Sequence, residues 1–146
     1  MANSREHRDQ GPKAGKQSKL SRKDEEVAFR AIRGAIQLDS DDREHLLKLT
    51  AELISKMMHA NSLHTDQLIS ILFTATPDIT SEFPALAARE LGIGDVPLMC
   101  FVEMNVKGSM PRVVRVMINA DCDVSRTEIQ HIYLRGAAAL RLDIAQ

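Results

Sequence analysis

The chain has 146 residues, 44% of them apolar, which suffices for one ordinary core and makes a two-domain protein unexpected. Aromatic residues make up only 3%, with no Trp and a single Tyr, so the core must be built from Leu, Ile, Val, Ala and Met, and Tyr133 stands out. The net charge of −1 conceals a basic start and an acidic body: residues 1 to 23 carry seven Lys and Arg against Glu6 and Asp9, which leaves a net of −6 on the remainder. Cys100 and Cys122 lack paired spacing and a nearby His pair, which argues against a zinc site or a disulfide scaffold and points to a reducing, cytoplasmic setting. No apolar run approaches the roughly 18 residues of a membrane span, and the N-terminus lacks a signal-type apolar segment.

Residues 1–26 hold almost no large apolar side chains and cannot offset their own ordering entropy, so they are expected to be a disordered basic extension preceding a domain at 27–146. The extension has no aromatic side chains on which bases would stack, and nucleic-acid binding is not expected of it. From Val27, VAFRAIRGAI alternates as a strand does up to Gly34 and puts Arg30 and Arg33 on opposite faces. Ser40 is a candidate N-cap, followed by Asp41 and Asp42, and Leu46, Leu47, Leu53, Ile54, Met57 and Met58 recur at the spacing of an amphipathic helix reaching about Ala60. The methionines belong to its apolar stripe, and His45, His59 and His64 are expected at the surface. LISILFTATPD predicts a buried strand stopping at a turn, and Ala85 to Leu91 a short helix ended by Gly92 and Gly94. VPLMCFVEMNV and RVVRVMINA predict a third and a fourth strand that pair with each other across KGSMP. Ser125 and Glu128 have the spacing of a capping box, and HIYL and GAAALRL are expected to be extended. This order predicts an α/β (α+β) domain, a mixed sheet with helices over one face.

Several blocks then carry a resemblance. Phe29 to Ala35, Thr74 to Asp78, Phe83-Pro84-Ala85, Ala88 to Leu91, Val96-Pro97 with Cys100, and Glu103-Met104 resemble, in order and spacing, the monofunctional chorismate mutases of the Bacillus type. So do Arg115-Val116-Met117, His131 to Leu134 and Leu140-Arg141. The resemblance implies a homotrimer with a pseudo-barrel core, active sites between subunits, and a reaction that uses neither metal nor organic cofactor. That reaction is the pericyclic conversion of chorismate to prephenate on the route to phenylalanine and tyrosine. It needs no nucleophile, only a compact reactive conformer and positive charge where the breaking ether bond leaves negative charge.

Matched block by block, the resemblance implies that Arg115 stands at the ether oxygen, Arg33 binds a carboxylate, Tyr133 bonds another substrate oxygen and Glu103 receives the ring hydroxyl. Phe83, Met99, Cys100 and Leu140 would line the cleft, with Arg89 and Arg141 on its rim. Leu86 and Leu142 stand where relatives can carry Lys and Pro. The alternative on the same fold is a trimeric imine-deaminase-like or non-catalytic ligand-binding protein.

Overall fold

The computed structural model describes residues 27–142. The basic extension predicted to be disordered lies outside these residues, and the described residues fold into five strands, two α-helices and three short 3-10 segments. The strands are β1 (Ala28–Gln37), β2 (Leu68–Ala75), β3 (Leu98–Val102), β4 (Val113–Cys122) and β5 (Ile132–Leu134), and the helices are α1 (Arg43–Ala60) and α2 (Ala85–Glu90).

They form one mixed sheet in the order β3-β2-β4-β1-β5. β4 is antiparallel to both β1 and β2, whereas the outer pairs β1–β5 and β2–β3 are parallel. The predicted pairing of the third strand with the fourth is therefore corrected: β3 pairs with β2, and β4 inserts between β2 and β1. The reason lies in the side chains. Val114, Val116, Ile118 and Ala120 of β4 are buried, as suits a central strand, while β3 leaves Met99 and Phe101 exposed, as suits an edge.

Alternation along the strands divides the sheet into two faces. One face carries Ile32, Ile36, Ile71, Phe73, Val114, Val116 and Ile118, and α1 packs Leu46, Leu49, Leu53, Ile54 and Met57 against it to form the main core. Gly34 lies under α1 so closely that a Cβ there would run into the Met57 sulfur. Among the described residues, the opposite face is covered only where residues 135–141 fold back, packing Ala137 against Ala35, Val113 and Tyr133. That segment, GAAALR with its preceding arginine, is a 3-10 helix rather than extended chain, in keeping with three consecutive alanines.

Other boundaries shift for local reasons. β1 continues three residues past the predicted end, because Ala35 to Gln37 still pair with β4. The α1 cap is Asp42, not Ser40: its carboxylate accepts the His45 N–H at 3.0 Å. Arg126–Glu128 is one 3-10 turn in which Ser125 makes no side-chain cap, so the predicted capping box does not form. α2 ends as expected at Gly92, whose φ of 85° suits a residue without Cβ.

Candidate active site

The open face of the sheet gathers the predicted charges through strand register. One row across it reads Tyr133 on β5, Ala35 on β1, Arg115 on β4, Thr74 on β2 and Phe101 on β3. The neighbouring row sets Arg33 beside Met117, Leu72 and Met99. A cavity of about 280 Å³ lies over these rows, lined by Arg33, Leu72, Thr74, Arg115, Tyr133 and Arg141 among others. Arg30, on the opposite face as alternation predicts, takes no part in it and donates through Nε to the Val124 carbonyl at 2.9 Å.

Glu103 follows β3 and stays in the sheet, its N–H donating to the Ala75 carbonyl at 2.9 Å. Its side chain pairs with Arg115 rather than with Arg33: Arg115 Nε donates to Oε1 at 2.7 Å. Thr74 Oγ1 donates to that same Oε1, also at 2.7 Å. The Glu103 side chain is only 16% exposed and that of Arg115 is 42% exposed, so the pair is held at the edge of solvent with its outer surface accessible.

Arg33 is set from behind. Its backbone N–H donates at 3.0 Å to His131 Nδ1, which fixes the ring as the tautomer carrying its proton on Nε2. Burial, and then the charges of Arg33 and Arg141, lower the His131 pKa from its ordinary value and favour that neutral form. The preceding residue, Gln130, is clamped by the buried Asn61 at the end of α1, which accepts its N–H at 2.8 Å and donates to its carbonyl at 2.9 Å. Tyr133 is almost fully buried, at 5% exposure.

The Thr74-to-Asp78 block also anchors the entry to β4. Thr76 Oγ1 accepts the Val113 N–H and donates to Asp78, and Asp78 accepts the Arg112 N–H at 2.9 Å. Arg112 sits at a positive φ of 53° under this restraint, and its Nε donates to the Leu38 carbonyl at 3.0 Å. The position of Arg115, three residues on, is thus set from the segments that follow the C-terminal ends of β2 and β1.

The remaining predicted residues fall elsewhere. Phe83 and Cys100 line a second cavity of about 350 Å³ beyond the β3 edge, with Phe101 shared between the two. Phe83 is 70% exposed, held on a loop whose Thr80 and Ser81 N–H groups donate to Asp41 at 3.0 and 3.2 Å. Burial pushes the Cys100 thiol pKa up, opposed in part by a hydrogen bond from the Ala85 backbone and by the charge of Arg89, so it stays a thiol. Met99 is exposed on the open face, and Leu140 packs beside the Ala35–Tyr133 cluster; neither lines either cavity. Thr74 and His131 were not singled out from the sequence, although both lie inside the matched blocks.

Three arginines and a tyrosine face one cavity, and Glu103 pairs with Arg115 among them, an arrangement suited to a small, multiply anionic molecule. The comparisons agree with that class. The family model for chorismate mutase type I matches residues 29–144. A chorismate mutase AroH of Thermus thermophilus is 43% identical over 116 residues, covering 79% of this chain and 95% of that protein. The one from Bacillus subtilis is 38% identical over 120 residues, covering 82% and 94%. A solved chorismate mutase from Clostridium thermocellum superposes with a TM-score of 0.74 at 38% identity, over 75% of this chain and 98% of that one. This chain belongs to the type I chorismate mutase family.

Proposed function

We propose that this chain rearranges chorismate to prephenate in a cleft between two copies of itself, with the sheet face of one copy supplying most of the charge. The observation that carries the reading is the Glu103–Arg115 pair set at the edge of an arginine-lined cavity, in a chain of this family. In this reading Arg115 offers positive charge to the ether oxygen, where electron density accumulates as the C–O bond breaks and the C–C bond forms. A donor preorganised for that purpose is worth about 3 to 4 kcal/mol. Arg33 and Arg141 hold carboxylates, Tyr133 bonds a further substrate oxygen, and Glu103 takes the ring hydroxyl. Together they hold the flexible side chain over the ring, so that part of the barrier is met on binding.

The division of the predicted residues between two cavities supports a shared site. Phe83 and Cys100, with the charge of Arg89 close enough to act on Cys100, lie toward the β3 edge, away from Arg33 and Tyr133 at the other end of the sheet. A neighbour's edge set against the open face would bring both groups onto one substrate. Met99, Phe101 and Val102, exposed at 56, 45 and 73%, are apolar surface that such a contact would cover. A closed ring of three copies, the homotrimer, satisfies every such surface with one interface type. The two cysteines are free thiols, which fits the cytoplasm as the place of action. Among the described residues no helix is long and apolar enough to cross a membrane.

The test is the loss of chorismate absorbance on adding purified protein in buffer containing EDTA, with prephenate identified by its acid conversion to phenylpyruvate. Rapid turnover is expected. A folded protein that leaves chorismate unchanged would favour the non-catalytic reading.

A further inference from the structure

A carboxylate beside an arginine has two equivalent oxygens, and the usual close pairing is a fork that uses both of them against two guanidinium nitrogens. Glu103 departs from this. Of the Arg115 nitrogens only Nε bonds it, and it does so on Oε1, the oxygen to which the Thr74 hydroxyl also donates. Thr74 stands directly opposite Arg115 in the β2–β4 ladder and opposite Phe101 in the β2–β3 ladder, so its hydroxyl reaches Glu103 from a rigid central strand.

We propose that Thr74 is a positioning residue for the mutase reaction: by holding Oε1, its hydroxyl blocks the forked pairing and turns Oε2 and the two terminal nitrogens of Arg115 toward the substrate. The proposal rests on the roles given to Glu103 and Arg115 above. Without the hydroxyl, the carboxylate is free to rotate and take a second Arg115 nitrogen. The guanidinium would then spend on Glu103 a donor that the ether oxygen needs in the transition state. The rest of β2, LISILFTA, is dominated by apolar residues, and Val at position 74 would fill the same volume and suit a strand at least as well. A hydroxyl at this point is explained by what it bonds.

Three variants test this, each checked for an unchanged melting temperature and oligomeric state. Thr74→Val should lower kcat by about tenfold while KM moves much less, since one hydrogen bond to a charged group is at stake and its effect falls on the transition state. Thr74→Ser keeps the hydroxyl and should restore most of the rate. In a Glu103→Ala background, Thr74→Val should add almost nothing, because Thr74 acts through Glu103. A kcat within twofold of the parent for Thr74→Val, equal losses in the Val and Ser variants, or full additivity with Glu103→Ala would each overturn the proposal. Arg115→Ala separates the two levels. If it turns over normally, the assignment of the site fails; if it is crippled while Thr74→Val is not, only the role of Thr74 fails.

Discussion

The two faces of this sheet are made by the same strands and do opposite work. On β4, Val114, Val116 and Ile118 point into a core closed by α1, and all are essentially inaccessible, whereas Arg115 and Met117 between them point to the open face and remain half-exposed. The helix-covered face spends its residues on apolar burial and holds the strands in register. The open face has little covering among the described residues and carries charges that would be costly in a core. Because side chains alternate, a rigid backbone fixed from one side delivers Arg115, Thr74 and Tyr133 in a single row on the other. Stability and chemistry are therefore separable by face, and mutations should sort the same way.

The sharpest contrast sets Phe73 against Arg115. Phe73 is completely buried in the main core, and Phe73→Ala should cost about 3 to 5 kcal/mol of stability, read as a shift in the denaturant midpoint. Whatever fraction stays folded should keep its rate per molecule. Arg115→Ala should do the reverse, lowering kcat by roughly 10² to 10³ with the midpoint almost unchanged. A variant of either kind that damaged both properties equally would erase the distinction between the faces.

A smaller effect crosses between them at His131, whose ring links β1 to the start of β5. Its folded-state pKa lies below the ordinary 6.5, so between those values the unfolded chain binds a proton that the folded chain does not. The stability this residue contributes is present above about pH 6.5 and is lost as the pH falls toward the folded-state value. His131→Asn, whose side-chain oxygen can accept the same Arg33 N–H, should flatten this dependence. Parallel melting curves for parent and variant from pH 8 down to pH 5 would contradict it.

The helix-covered face was legible in the sequence because burial imposes a period. The leucine and methionine stripe of α1 and the alternation of β4 both reappear in the structure. The neighbour of β3 was not legible, since the loop around Gly108 looks like a hairpin and nothing local records that β3 returns beside β2 instead. The extended reading of GAAALRL failed for a similar reason: its turn is held by packing of Ala137 on Ala35 and Tyr133, a contact distant in sequence. On the open face periodicity carries no message about chemistry. Arg33, Glu103 and Arg115 stood out only through the family resemblance, and Tyr133 otherwise only as the single tyrosine; the resemblance names blocks of residues and not the bonds between them. Thr74 and His131 lie within those blocks, but their bonds to Glu103 and Arg33 exist only once five strands are in register.

The shared cleft is the central claim, and complementation between two inactive variants tests it most directly. Arg115→Ala removes the charge on the sheet face, and Phe83→Glu places a carboxylate on the exposed edge, where it should repel a dianionic substrate without disturbing the fold. Each protein alone should be nearly inactive. Unfolded together and refolded as mixed oligomers, they should regain chorismate turnover, because an intact face from one copy then meets an intact edge from another. Mixed oligomers as inactive as their parents would mean that both side chains serve a site within one chain, and the shared cleft would have to be abandoned.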